Sequence, residues 1–143
     1  MSRALASWTV CNETMLFYAN GGNYVGPDYD AWYEVVRTGR FRYYIGATGE
    51  DFRVTGQERS RAAELFKERQ LSFAVVTDSA LVRGFATALG WLGTNVAAFS
   101  WAHSDDAGLW LGHAPDVARA LSDELRRVKW RLEEQLRMQR AAP

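Results

Sequence analysis

The sequence predicts an α/β fold: a mixed sheet built from an N-terminal hairpin plus parallel strands, joined by crossover helices and closed by a long C-terminal amphipathic helix. Three observations predict it. Short runs rich in β-branched and aromatic residues alternate with segments of helical period. Gly, Pro and Asp punctuate the junctions. Val117, Leu121, Leu125, Val128, Leu132 and Leu136 recur at steps of four, four, three, four and four, which places them within about 100° of arc on a helix.

The hairpin comes first. Trp8 and Val10 precede a polar break at Asn12-Glu13, the apolar run Met15-Leu16-Phe17-Tyr18 follows, and Gly21-Gly22 ends it. Pro27 and Asp28 open a helix, since proline suits the first helical position and an acid suits the first turn. Its inner side carries Tyr29, Trp32, Tyr33 and Val36, and Gly39 stops it. Tyr43-Tyr44-Ile45 reads as a short strand. A polar loop over 46–55 leads to a helix from about Gly56 to Arg69, facing inward with Ala62, Leu65 and Phe66. Leu71-Ser72-Phe73-Ala74-Val75-Val76 is nearly continuously apolar, as strands covered on both faces are.

Asp78 or Ser79 caps the next helix, whose stripe is Leu81, Val82, Phe85, Leu89 and Leu92, with Gly93 as its stop. Val96-Ala97-Ala98-Phe99 is a further strand. Ser104 can cap a short helix holding Ala107, Trp110 and Leu111; Gly112 breaks it and Pro115 starts the last helix. Acid–base pairs Asp123–Arg127 and Glu133–Arg137 support that helix at i,i+4. The expected division is an α/β domain over 1–112 and the amphipathic helix over 113–143, packed on or extending from the same domain.

Composition narrows the function. At 143 residues, 48% hydrophobic and 24% charged, the chain fits one ordinary globular domain. With 17 basic and 17 acidic residues the net charge is zero, which gives no electrostatic drive toward nucleic acid and leaves self-association weakly opposed. The start Met1-Ser2-Arg3-Ala4-Leu5 lacks a signal peptide's apolar run, and no segment has the length and apolarity of a membrane span. A single cysteine, Cys11, excludes an intrachain disulfide and suits a reducing cytoplasm.

Little in the sequence points to catalysis, a metal or a cofactor. His103 and His113 are ten apart, which fits no common zinc spacing, and read as structural. Cys11 in a hairpin reads as a small buried apolar group rather than half of a Cys–His pair. Gly46-Ala47-Thr48-Gly49 lacks the close glycines of a phosphate loop and reads as an exposed loop. Asp78, Asp105 and Asp106 follow strand ends and either sit at helix N-termini for the dipole or face a ligand edge.

The order β-β-α-β-α-β-α-β-α-α, with the stretch from Leu71 to Gly84 and on through Ala88-Leu89-Gly90-Trp91-Leu92 to Ala98-Phe99, resembles the STAS domain, the fold of bacterial anti-sigma-factor antagonists, and small bacterial STAS-like proteins in particular. The resemblance spans roughly residues 7 to 112. It implies a signalling module that binds protein partners and is not an enzyme. The phospho-acceptor segment of that family, Asp-Ser-Ser-Gly, aligns with Arg53-Val54-Thr55-Gly56, so the acceptor position holds Val54. Thr55, one place on, is a weak candidate phospho-site, and an N-cap role is the favoured reading.

Two surfaces exceed what a core needs. Trp130 lies about 170° from the stripe of the last helix, among Arg126, Glu133, Glu134 and Arg137. Either an arginine covers it by stacking or it anchors a partner, and the expected state is a homodimer. Gly84 and Trp91 mark a small-residue groove beside an aromatic on the helix from Leu81, for another element to approach. The alternative function is a small-ligand binder or enzyme using the strand-end edge at Thr48, Asp78 and His103. The crowded N-terminal aromatics, Phe17, Tyr18, Tyr24, Tyr29, Trp32, Tyr33, Tyr43 and Tyr44, read mostly as core or half-buried sheet-facing residues, with tyrosines that keep their hydroxyls at the edge as the alternative lining of a small-molecule cleft.

Overall fold

The computed structural model describes residues 3–91 and 93–141. Strand β1 (Ala6–Cys11) turns back into β2 (Thr14–Ala19), followed by the short β3 (Gly22–Asn23) and helix α1 (Pro27–Thr38). Next come β4 (Tyr43–Thr48), the short β5 (Phe52–Arg53), α2 (Gly56–Glu68), β6 (Ser72–Val76), α3 (Ala80–Trp91) and β7 (Val96–Phe99). A single 3-10 turn at Trp101–His103 leads into α4 (Ser104–Trp110) and α5 (Pro115–Ala141). The main sheet runs β1-β2-β4-β6-β7, antiparallel at the hairpin and parallel beyond it; β3 and β5 form a separate parallel pair.

The hairpin closes tightly because Asn12 and Glu13 both take left-handed backbone angles, φ 50° and 57°, which match the twist of the strands they join. Central strand β2 is buried along all six residues. Its side chains alternate between two cores. Met15 and Phe17 join Trp32, Val36, Tyr44 and Phe66 under α1 and α2. Leu16 and Tyr18 join Ile45, Val76, Leu121 and Leu125 under α4 and α5. Helix α3 covers Val75 with Val82 and Ala86 on the α1–α2 side.

The stripe of α5 is buried as its spacing requires: Leu121, Leu125 and Val128 are at 2% exposure or less, Leu132 is buried, and Val117 and Leu136 are partly covered. Each such side chain contributes about 1.5–3 kcal/mol on leaving water. The close seat of α5 on α4 depends on Gly108, where a Cβ would lie 2.8 Å from Ala118 Cα.

Several local expectations are corrected. Residues 46–48 are not an exposed loop but the buried second half of β4, and Phe52–Arg53 pair with β3 inside the supposed loop. Strands flank Gly46 on both sides, and Thr48 pairs with Ala19 of β2 while its hydroxyl meets Thr77, so burial there comes from the sheet and not from residue type. On α3, Leu81 is exposed and Ala86 is buried in its place, while Leu92 lies outside the described residues. Ser79, not Asp78, caps α3, its Oγ accepting from Val82 N at 3.3 Å. Ser104 is the first residue of α4 and turns its hydroxyl to Ser122 at 2.6 Å instead of capping; Trp110 faces out, 38% exposed.

The expected ion pairs of α5 also shift by one. Arg127 and Arg131 both reach Glu124, at 2.8 Å each, Glu133 pairs with Lys129, and Arg137 pairs with Glu134. Carboxylates at i−3 and i+4 lie as close on the helix surface as the predicted partners.

Candidate functional site: the strand-end cleft

The carboxyl ends of β2, β4 and β6 lie along one edge of the sheet, and α5 passes beside it. Between them opens a cleft of about 670 Å³. Thr48, Gly49 and Asp78 come from the strand ends, Tyr18 and Trp101 form the aromatic part, and Arg126, Lys129, Trp130 and Glu133 come from α5. In parallel sheets this edge gathers loops at the strand termini, which is why it is a common binding locus.

The α5 wall is held by specific bonds. The Tyr18 hydroxyl donates to Glu133 Oε1 at 3.2 Å, and burial together with that carboxylate pushes the phenol well above its usual range. Lys129 pairs with Glu133, and its Nζ stands 5.7 Å from the centres of both the Tyr18 and Trp101 rings. Arg126 donates to Ser122 Oγ at 2.8 Å and to the Trp101 carbonyl at 2.9 Å, so its charge straps the segment after β7 onto α5.

The strand-end wall is fixed in the same way. Thr48 Oγ1 and Thr77 Oγ1 are 3.0 Å apart, and Thr77 Oγ1 accepts from Ser79 N at 3.1 Å. Asp78 Oδ1 accepts from Trp101 N at 3.2 Å. These contacts leave a preformed polar floor at Thr48 and Asp78 beside an apolar wall at Trp130.

Trp130 is 63% exposed, and no Arg or Lys among the described residues lies over its ring. The arginine cover is thus not made: Arg126 is turned to Trp101, and Arg137 to Glu134. Two turns along, Met138 is 65% exposed and shares a shallow outer groove with Trp130, Arg131 and Glu134.

Of the residues singled out in the sequence, Thr48, Asp78, Arg126, Trp130 and Glu133 meet in this one cleft. His103 does not line it; its side chain is 72% exposed, with Nδ1 3.7 Å from Asp106. Arg137 lies farther along α5. Trp91, 84% exposed, and Gly84 lie on α3, and a Cβ at Gly84 would meet nothing within 4 Å, so no element of the described chain fills the expected groove there. Thr55 caps α2, its Oγ1 accepting from Glu58 N at 3.2 Å.

Sequence reasoning missed Trp101 and Lys129 as cleft residues and had Tyr18 only among the crowded N-terminal aromatics. Tyr18 carried a usable signal, since alternation along β2 puts it on the face opposite Phe17. Burial, aided by Glu124, pushes the Cys11 thiol up, and burial lowers His113 despite Glu13 nearby. Among the described residues no group of three or more His, Cys, Asp or Glu side chains is placed to hold a metal, and no helix is long and apolar enough to cross a membrane. No protein-family model, no curated protein and no solved structure matches this chain.

Proposed function

We propose that this protein is a STAS-like, non-catalytic regulatory module that acts in the cytoplasm by protein–protein contact, with a second copy of itself as the first partner. The observation that carries the reading is Trp130: a tryptophan 63% exposed on the wall of a preformed cleft, with Met138 continuing the apolar surface outward. Tryptophan and arginine are among the residues most enriched at interface centres. Arg131 and Glu134 flank the same groove, each already paired within the chain, so the apolar surface is rimmed by charges of both signs. The zero net charge adds no repulsion between copies. The test is the mass in solution of wild type and of Trp130→Ala. A dimer that dissociates on substitution supports the reading; a wild-type monomer at tens of micromolar, or a variant dimer of unchanged strength, overturns it.

A second reading, a small ligand held in the cleft, is favoured by the position of Thr48 and Asp78 at the carboxyl ends of parallel strands. A ligand that binds only the native state raises its melting temperature. A thermal-shift screen with nucleotides and metabolites therefore tests it, with Asp78→Asn as the variant that abolishes any shift.

A further inference from the structure

Across the sheet from α5, under α1, α2 and α3, the packing leaves a cavity of about 120 Å³. The core on this side is unfinished where α3 lies. Phe73 is only half-buried although its strand has β4 on one side and β7 on the other, and Phe85 and Leu89 of α3 are half-buried too. Two features leave the space. Gly46, on the floor, has no side chain, and a Cβ there would come within 2.8 Å of the Tyr44 ring. Helix α3 sends only Val82 and Ala86 fully inward, the second no more than a methyl group.

The wall offers an occupant carbon and little else. Phe17, Trp32, Tyr44, Phe73 and Phe85 supply most of it as rings. The polar atoms around it are turned to one another. The Tyr29 hydroxyl donates to the Glu58 carbonyl, Trp32 Nε1 donates to the Tyr44 hydroxyl at 2.8 Å, and the Thr48 and Thr77 hydroxyls are 3.0 Å apart. The charged heads are withdrawn as well. Glu58 Oε2 is shut off from the cavity as it is from solvent, and the Arg59 guanidinium lies on the Phe85 ring, 4.2 Å from its centre. A buried water needs about 2–4 polar partners, so this space stays dry.

We propose that this carbon-lined cavity is a binding site for a small neutral hydrocarbon of about the size of benzene, held by apolar contact alone. Size and polarity both point to that class. A dry apolar cavity of about 150 Å³ takes up benzene, and this one is only a little smaller. A hydroxyl or a charge on the ligand would give up its hydration on entry, and the described wall has no free partner to return it. An apolar occupant gives up nothing of the kind. It touches the rings of Phe73 and Phe85 and completes the packing that α3 leaves unmade. Because that packing exists only in the folded chain, the occupant binds the native state and stabilises it.

The test measures melting temperature and calorimetric binding of the whole chain with benzene, phenol (a hydroxyl added) and benzoate (a charge added). Benzene is expected to raise the melting temperature and to bind about tenfold or more tightly than phenol, with benzoate giving no shift. Ala62→Leu fills the space from α2 and Ala86→Leu fills it from α3, and each is expected to abolish benzene binding while the circular dichroism of the fold is kept. A measurement on the wild type covers the case in which neither variant folds: benzene moves the NMR resonances of Phe73 and Phe85 and leaves those of Trp101, in the strand-end cleft, in place. Absence of any benzene binding overturns the site. Phenol or benzoate binding as tightly as benzene overturns its apolar character. Benzene affinity unchanged in both filled variants, or NMR shifts at Trp101 and not at Phe73, overturns its location.

Discussion

The Tyr18 hydroxyl donates to Glu133 Oε1 across 3.2 Å and so joins the carboxyl end of β2 to the outer half of α5. Tyr18 is 3% exposed, while the Glu133 side chain is 46% exposed and keeps Lys129 as a second partner. Removing the hydroxyl therefore strands no buried acceptor. Tyr18→Phe is expected to cost about 0.5–1.5 kcal/mol, the range for a single net hydrogen bond, measured by urea unfolding. A loss of twice that would mean the ring itself had moved.

Ser104 and Ser122 behave differently because both are buried. Their hydroxyls are 2.6 Å apart, and Arg126 donates to Ser122 Oγ at 2.8 Å. Ser122→Ala leaves Ser104 without its partner inside the α4–α5 contact, a penalty of about 1–3 kcal/mol. The double variant with Ser104→Ala is expected to cost less than the sum of the two single ones. Strict additivity in a double-mutant cycle would show that the two hydroxyls are not coupled.

At Gly84 the direction reverses. The position is inside α3, its added Cβ meets nothing within 4 Å, and glycine there carries the full backbone entropy of the unfolded chain. Gly84→Ala should raise stability by roughly 0.5–1 kcal/mol, seen as a higher melting temperature. A destabilised variant would mean that a surface covers this side of α3 in solution.

His113 supplies the pH dependence. Its Nε2 is 3.1 Å from Thr14 Oγ1, whose own proton goes to the Asn12 carbonyl at 3.0 Å, so the ring nitrogen is the donor. The ring also packs edge-on against Tyr43 at 4.7 Å. Burial lowers its pKa below the ordinary 6.5, with Glu13 opposing. The unfolded chain then takes up a proton first as pH falls, so stability declines from 6.5 downward and levels off once pH passes the folded value. His113→Gln is expected to flatten the urea midpoint over that window. A slope unchanged by the substitution would assign the pH dependence to other groups.

Much of the fold was legible in where apolar residues fall. The apolar run Met15–Tyr18 and the four-and-three spacing of Val117–Leu136 both describe surfaces that the structure buries. What escaped was what neighbours decide. Gly46 and Thr48 look like turn residues in isolation; Gly46 is buried because strands flank it on both sides, and Thr48 because it pairs with β2 and meets Thr77. Leu81 matches the α3 stripe in hydrophobicity, yet Ala86 occupies the narrow inward position. The cleft was half legible: Thr48, Asp78, Arg126, Trp130 and Glu133 were each singled out, but as members of two separate surfaces. Sequence spacing orders side chains along one element and carries no measure of which strand end a helix will pass.

Thr48 lines both hollows of this molecule, the strand-end cleft beside α5 and the carbon-lined cavity beneath α2 and α3. Its hydroxyl bonds to Thr77, which in turn holds the first turn leading into α3. The partition between the two hollows is thus one side chain thick. A substitution at 48 perturbs both at once and assigns an effect to neither. Genetic dissection of this protein has to work from the outer rims, Trp130 and Asp78 on one side and Arg59 on the other.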